Sequence, residues 1–343
     1  MDLKSKIFNK RYLPIDEFVD KILYDPQNGY YVNHNPFNKQ GDYITSPNIS
    51  PIFSEIVSIW IVSLWEKFGK PKKINIVELG PGNGEMTRVL LKSLKKFLKI
   101  NSFEIFLYEK SISLEKLQKK RIKDPCVKWI NDFNKIRSGP VIFIGNEFFD
   151  AVPIKQFQKK NNVIKEKNLF LKANKIKNKY LKISKNLERY LNKFKTINSN
   201  KFFEFPLKGL KIMDIIIKVI KRFNGAILLI DYGYTIKSEQ SSLQSVKNHK
   251  YNKLFSNLGD ADISSLVNFK LLEEYFNSKK LKVNNIIDQG KFLKTLGIIE
   301  RADILSKNMN FKEKADLYYR VKRLIHPKEM GSLFKVIQAF SHK

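Results

Sequence analysis

The sequence predicts an α/β fold in which a mostly parallel, doubly wound sheet of seven strands is covered by helices. Between residues 74 and 144, short apolar segments alternate with amphipathic segments of helical periodicity. This alternation is typical of parallel strands joined by crossover helices. It returns after residue 210, beyond a Lys/Asn-rich stretch that lacks it. A chain of 343 residues is long enough to bury the core that such a sheet needs.

The residues before position 74 predict helices and turns. Residues 14–23 carry apolar side chains at helical spacing, and residues 52–68 form a longer apolar helix. Residues 25–31 and 41–51 are rich in turn formers. We therefore assign residues 1–73 to an N-terminal helical cap segment.

The remaining residues, 74–343, predict one domain with two insertions. Residues 157–209 interrupt the alternation with an insertion that carries a hairpin, and residues 233–265 form a second insertion that is irregular as far as about residue 262. The predicted strands are residues 74–78, 103–108, 127–130, 141–144, 226–230, 281–287 and 333–339, of which the last enters antiparallel.

The formal net charge is +31, from 64 Lys and Arg against 33 Asp and Glu. Such a charge attracts polyanions, either nucleic acid or an anionic membrane surface. The lysines are spread along the whole chain, however, and codon bias in an AT-rich genome explains their number better. The charge therefore predicts only a weak attraction to such partners.

Cysteine and apolar residues indicate a chain without disulfides or a membrane span. Cys126 is the single cysteine, which fits a reducing compartment. The longest apolar run, residues 56–65, is far shorter than the roughly 20 residues that cross a bilayer. Residues 1–11 lack the apolar core of a secretory signal, although they are compatible with a short basic transit segment. The four histidines show no metal-binding spacing, so no metal is predicted.

The strongest motif, VELGPGNG, links the first predicted strand to a helix. Gly80, Gly82 and Gly84 let the backbone approach a ligand closely, with Pro81 between the first two. The G-x-G-x-G spacing differs from the dinucleotide fingerprint, which positions a diphosphate. S-adenosylmethionine has no phosphate but carries an ammonium and a sulfonium, which the carboxylate of Glu78 suits. The motif predicts S-adenosylmethionine as the cofactor.

Two further acidic residues follow the next strands. Glu109 ends the second strand, where a carboxylate accepts hydrogen bonds from ribose hydroxyls. Asp132 follows the third strand and is predicted near the adenine. For both residues a plain loop position is the alternative.

Polar and aromatic residues alternate after the fourth strand. Asn146, Glu147 and Asp150 are predicted to face the acceptor, where carboxylates orient a cationic guanidinium by charge-assisted bonds. Phe148 and Phe149 are predicted to exclude water. The alternative is a helix cap with a phenylalanine core. The predicted chemistry is in-line displacement at the cofactor methyl, which depends chiefly on alignment.

These segments together resemble the MidA-type family of class I, Rossmann-like S-adenosylmethionine-dependent methyltransferases, which includes the mitochondrial complex I assembly arginine methyltransferase. The resemblance runs along nearly the whole chain, in family order. The segments that carry it are residues 25–31, 41–47, 53–55, 77–84, 146–153, 231–234, 289–293, 296–302 and 330–335.

The resemblance implies symmetric dimethylation of an arginine on a protein substrate, a subunit of respiratory complex I. It implies a cytoplasmic location for a bacterial chain and the mitochondrial matrix for a eukaryotic one. The sequence is compatible with a monomer and with a homodimer. Four positions depart from the family pattern: Asn48 replaces a Glu, Asn83 an Arg, and Leu266 and Asn268 a His and an Asp.

Three other functions compete with this one. An RNA methyltransferase would use the positive charge to hold phosphates, but no Asn-Pro-Pro-Tyr-type motif is present. A non-catalytic assembly chaperone would keep the fold and bind a subunit through the cap. A nicotinamide dehydrogenase is the weakest alternative, because the glycine spacing is wrong.

Overall fold

The computed structural model describes residues 3–8, 10–33, 45–99, 102–236 and 238–342. Residues 41–44 of the second predicted turn, and His34, lie outside the described residues. The chain divides into two compact units. Unit 1 comprises Met1–Tyr43, Phe149–Asp214 and Tyr234–Tyr275, and unit 2 comprises Ile44–Phe148, Ile215–Gly233 and Phe276–Lys343. The predicted boundary at residue 73 stays a prediction.

Helices and strands follow one another along the described residues. The helices are α1 (Leu3–Ile7), α2 (Ile15–Tyr24), α3 (Tyr30–Asn33), α4 (Ser46–Ile49), α5 (Pro51–Lys67), α6 (Glu85–Phe97), α7 (Ile112–Arg121), α8 (Lys185–Leu191), α9 (Lys195–Asn198), α10 (Leu207–Phe223), α11 (Phe269–Ser278), α12 (Gln289–Thr295), α13 (Ile298–Ser306), α14 (Phe311–Ile325) and α15 (Met330–Leu333). The strands are β1 (Leu13–Pro14), β2 (Ile74–Leu79), β3 (Phe103–Tyr108), β4 (Val127–Ile130), β5 (Val141–Asn146), β6 (Lys155–Lys160), β7 (Val163–Lys172), β8 (Lys175–Lys182), β9 (Phe202–Phe205), β10 (Gly225–Tyr234), β11 (Gln244–Lys247), β12 (Lys250–Asn252), β13 (Asp262–Ser264), β14 (Val267–Asn268), β15 (Lys282–Val283), β16 (Ile287–Asp288) and β17 (Phe334–Phe340).

Unit 2 is built on a sheet whose strands follow the order β15-β17-β10-β5-β2-β3-β4. β10, β5, β2, β3 and β4 pair in parallel. β17 pairs antiparallel with β10, and β15 and β16 both pair antiparallel with β17. The predicted mostly parallel sheet with an antiparallel last strand is confirmed, but the sheet has nine strands where seven are predicted.

Alternate residues of these strands face one apolar core. Ile74 and Ile76 of β2, and the corresponding residues of β3, β5 and β10, pack against α5, α6, α12, α13 and α14. α5 begins where the Ser50 side chain accepts a hydrogen bond from the Ile52 backbone N–H and Pro51 fills the first turn. The apolar side chains of these strands stabilise the sheet, because folding removes them from water.

Unit 1 is largely antiparallel. One sheet has the order β1-β7-β6-β9, with β8 also pairing β7, and a second has the order β12-β11-β13. Two-residue turns with positive φ at both positions join β6 to β7 and β7 to β8, the backbone that tight hairpins require. The hairpin predicted within residues 157–209 is confirmed.

Two sequence predictions are wrong in detail. Residues 233–262 are not irregular, because β11 and β12 form a hairpin there that also pairs with β13. The single strand predicted at residues 281–287 is split into β15 and β16. Asn284, Asn285 and Ile286 separate them, and asparagine is a poor strand former. No described helix is both long and apolar enough to cross a membrane.

Candidate functional site

Three strands of unit 2 end at the same edge of the sheet. Leu79, the last residue of β2, pairs with Tyr108 of β3 and with Gly145 of β5. Gly80 and Glu109, which follow their strands, and Asn146, the last residue of β5, therefore lie at adjacent strand ends. The strand order reverses between β2 and β5, and doubly wound folds bind ligands at the carboxyl ends of the strands at such a reversal.

The glycine motif forms a tight turn between β2 and α6. Gly80, Gly82 and Gly84 have φ values of +64°, +56° and +78°, a left-handed backbone that glycine adopts at little cost. The Gly80 N–H donates to the Tyr108 carbonyl at 3.0 Å. A Cβ atom at Gly80 would lie 3.3 Å from a ring carbon of Phe148, so the turn has little room for a side chain. The predicted strand–turn–helix context of the motif is confirmed.

Glu78 is a buried carboxyl group at the end of β2. Its side chain accepts a hydrogen bond from the Thr87 hydroxyl of α6. Burial, together with the negative charge of Glu109, raises the pKa of Glu78 to about 8, although the hydrogen bonds from Thr87 oppose the shift. Glu78 is therefore largely protonated at neutral pH when no cation is near, and a bound ammonium or sulfonium would favour its ionised form.

Glu109 is held in place by hydrogen bonds at both carboxylate oxygens. The Ser111 backbone N–H donates to Oε1 at 2.7 Å, and Gln118 Nε2 donates to Oε2 at 3.2 Å. Burial raises the pKa of Glu109 to about 7, although these hydrogen bonds oppose the shift. The site thus contains two carboxyl groups that a cationic nucleoside would help to ionise.

Gln118 of α7 is a residue that the sequence analysis missed. It is fully buried, and its Nε2 also donates to the Gly82 carbonyl at 2.8 Å. Its Oε1 accepts from Trp129 Nε1 at 2.9 Å. Gln118 therefore braces the glycine turn and Glu109 together. No motif surrounds it, and its only sequence signal is a polar residue at an inward-facing helix position.

Asp132 caps the short 3-10 turn Phe133–Lys135. Its side chain accepts from the Asn134 backbone N–H at 2.9 Å and is exposed. A capping role explains this residue without a ligand. Its predicted place near the adenine stays a prediction.

Asn146 and Glu147 form the end of β5. Asn146 Nδ2 donates to Glu147 Oε1 at 3.0 Å, and the Ser46 backbone N–H donates to the same oxygen at 3.1 Å. Glu147 has a φ of +52°, which a residue with a Cβ adopts only at a cost. Asn146 is 8% exposed, and no donor within the described part of the chain reaches its Oδ1. The strand end therefore offers a fixed carboxylate and a buried amide oxygen to a donor.

A buried chain of hydrogen bonds, also missed in the sequence, supports Glu147. The Ser46 hydroxyl donates to Gln289 Oε1 at 3.3 Å, and Gln289 Nε2 donates to the Leu324 carbonyl at 3.0 Å. Both Ser46 and Gln289 are fully buried. This chain fixes the Ser46 backbone N–H that holds the carboxylate. The Thr-Ser-Pro segment was a visible signal, but its partner is far along the sequence.

Asp150 belongs to unit 1, where its backbone carbonyl accepts from the Ser265 N–H at 3.1 Å. Its predicted grouping with Asn146 and Glu147 stays a prediction. Asp231, which ends the buried part of β10, is 2% exposed and belongs to unit 2.

Within the described residues no cluster of three or more His, Cys, Asp or Glu side chains could hold a metal ion.

This strand order, with an antiparallel last strand and an acidic residue before a glycine turn at the switch point, defines the class I, S-adenosylmethionine-dependent methyltransferases. The chain belongs to one family within this class. The model of a family of S-adenosyl-L-methionine-dependent methyltransferases matches residues 56–287. The MidA-type resemblance and S-adenosylmethionine as the cofactor are thereby confirmed.

Relatives of known name extend over almost the whole chain. The mitochondrial protein arginine methyltransferase NDUFAF7 of Homo sapiens is 26% identical, and the match covers 99% of this chain and 83% of that protein. The Drosophila melanogaster homolog is 27% identical, covering 98% and 84%. The Danio rerio protein is 28% identical, covering 97% and 84%.

Solved structures share the fold. A likely methyltransferase from Burkholderia thailandensis, crystallised with S-adenosyl-homocysteine, superposes with a TM-score of 0.80 at 21% identity. The match covers 96% of this chain and 88% of that one. The native crystal structure of a protein from the same organism gives 0.78 at 22% identity. The predicted class I fold is confirmed.

Proposed function

We propose that this methyltransferase transfers the methyl group of S-adenosylmethionine to a guanidinium nitrogen of an arginine in a protein substrate. The observation that carries the proposal is Glu147. Its carboxylate stands at the end of β5, beside the strand that leads into the glycine turn, and two N–H groups hold it. The names of the relatives, which are protein arginine methyltransferases, support the same acceptor.

We assign the cofactor to the residues around the glycine turn. Gly80, Pro81, Gly82 and Gly84 would leave room for the methionine end, with Glu78 facing its ammonium. Glu109 would accept hydrogen bonds from the ribose hydroxyls, and Asp132 would lie near the adenine. The bound cofactor supplies an electrophilic methyl group on a sulfonium. Buried carboxyl groups fit it, because their ionised forms need a neighbouring cation.

Three residues would handle the acceptor. A guanidinium is almost always protonated, so it needs an acceptor for the proton that it loses when its nitrogen is methylated. Glu147 would align the guanidinium by charge-assisted bonds and take that proton. The Oδ1 atom of Asn146 would accept a second N–H, and Asp150 would complete the acceptor side.

Residue-level analysis of the methylated product tests this function. Proteins from cells lacking this gene are incubated with the purified enzyme and methyl-labelled cofactor, then hydrolysed and analysed for methylated amino acids. We expect label in arginine, as the symmetric dimethyl form. Label in RNA, or cofactor binding without any transfer, would instead establish the RNA methyltransferase or the chaperone.

The Glu147→Gln variant tests the mechanism. The amide keeps an oxygen for the Ser46 N–H but cannot take a proton. We expect cofactor affinity within about twofold of the wild type and transfer slower by about 100-fold or more. Glu66→Gln, which changes an exposed carboxylate of α5, is the matched control. Full turnover by Glu147→Gln would remove Glu147 from the reaction.

The finer assignments rest on the resemblance alone. It makes a subunit of respiratory complex I the expected acceptor. It also makes the cytoplasm the expected compartment of a bacterial chain and the mitochondrial matrix that of a eukaryotic one. Mass spectrometry of the labelled protein identifies the acceptor directly.

A further inference from the structure

One face of unit 2 has a polar patch in a position that a helix ordinarily covers. Between β4 and β5 the chain forms only the 3-10 turn Phe133–Lys135, whereas doubly wound folds place a helix at such a crossover. Asn75 of β2 pairs in register with Glu104 of β3. Their neighbours Ile74 and Ile105 point to the apolar core on the opposite face. The polar face borders a cleft of about 360 Å³.

Four cationic side chains line this cleft: Lys73, Lys128, Lys135 and Arg137. Glu104 is the one acidic residue in the lining, and both Lys73 and Lys128 pair with it, Lys73 at 3.0 Å. Although burial opposes it, the two lysines hold the pKa of Glu104 below its usual range. Four cations minus one carboxylate leave a lining charge of +3. No acidic residue of the described chain pairs with Lys135 or Arg137.

We propose that this cleft binds a phosphate group of a small ligand that carries two or more negative charges. A single carboxylate would neutralise only part of the lining charge, whereas a phosphate monoester or diphosphate matches it. Arg137 can contact two phosphate oxygens at once. The volume is that of a small-molecule pocket, which favours a compact ligand over a nucleic-acid strand.

The cleft differs from a chance group of surface lysines. Its cations come from four separate places in the chain, ahead of β2, within β4, at the 3-10 turn and beyond it. Its lining includes polar and apolar residues, and the buried Asn75 among them donates from Nδ2 to the Ser138 carbonyl at 2.6 Å. Lys128 and Phe106 pair in register on the face that borders the cleft, whereas the Trp129 indole packs against the apolar core on the opposite face.

Titration of the full-length protein tests the site. Inorganic phosphate and inorganic pyrophosphate are the probes, and their binding is followed by calorimetry at constant ionic strength without S-adenosylmethionine. We expect one saturable site per chain, with pyrophosphate the tighter ligand. The double variant K135A/R137A should bind about tenfold more weakly or worse. The matched control K175A/K177A removes two exposed lysines of β8 and should bind as the wild type does.

Three results would overturn the proposal. The first is the absence of saturable binding by the wild type. The second is an equal loss in both double variants, which would show only general attraction to a positive protein. The third is a short single-stranded RNA that displaces pyrophosphate and binds more tightly, which would make the ligand a nucleic acid. None of these results bears on methyl transfer.

Discussion

Asn83 of the glycine turn donates from Nδ2 to Oδ1 of Asn48 in α4 at 2.8 Å. The resemblance to the MidA-type family implies Arg and Glu at these two positions. The structure thus brings together two departures that are 35 residues apart. In this chain the link between α4 and the turn is a hydrogen bond between two neutral amides.

Introducing Arg at position 83 and Glu at position 48 should show whether the two positions act together. N83R alone places an unpaired cation beside the turn and should weaken cofactor binding by about tenfold. N48E/N83R supplies both charges and should return the affinity to within about threefold of the wild type, since contacting residues have coupled energies. Calorimetry of the two single variants and the double variant measures the coupling. Strictly additive effects would show that the two positions act independently.

Gly82→Val should abolish cofactor binding, because a branched side chain would take up space that we propose for the cofactor. The backbone strain at a φ of +56° adds about 1–2 kcal/mol of destabilisation. Gly69→Val separates these effects, because Gly69 has a φ of +83° and open space around it. Calorimetry should find no binding by Gly82→Val and normal binding by Gly69→Val. Normal binding by both variants would place the cofactor elsewhere.

Stability should fall with rising pH because of Glu78. Its pKa is about 8 in the folded protein against an ordinary value of 4.5, so folding favours the protonated form. The stabilisation is complete below about pH 4.5 and is lost as the pH rises to about 8, by at most about 1.4 kcal/mol per pH unit. Denaturant unfolding of wild type and Glu78→Gln from pH 5 to 8.5 measures this. Parallel profiles for the two proteins would contradict the assignment.

The fold was predictable because its signals are local. Apolar strands alternate with helices along the chain, and the glycine turn follows its strand directly, so Glu78 and Gly80 were assigned by position alone. The turn residues around Glu147 were visible for the same reason. Glu78 and Gly80 lie in one strand–turn–helix segment, and Glu147 lies directly after β5, in the turn that leads to β6.

The supporting contacts were not predictable, because they join distant segments. Ser46 meets Gln289 across 243 positions, and nothing near either residue indicates the other. The hairpin of β11 and β12 was missed because its strands are only four and three residues long. Short polar strands give no clear alternation of apolar and polar residues.

Gln118 provides the sharpest test of such a contact. Gln118→Ala removes the donor to the Gly82 carbonyl and leaves Trp129 Nε1 without its acceptor, which should cost about 1–3 kcal/mol of stability. Gln118→Glu keeps an acceptor for Trp129. It also places another carboxyl group beside Glu109, in addition to Glu78, and should raise the pKa of Glu109 further. Both variants should weaken cofactor binding, Gln118→Glu less so at low pH, where its carboxyl is neutral. Thermal unfolding and calorimetry at pH 5.5 and 8 separate the two effects. Unchanged binding by Gln118→Ala would show that the turn and Glu109 keep their positions without this brace.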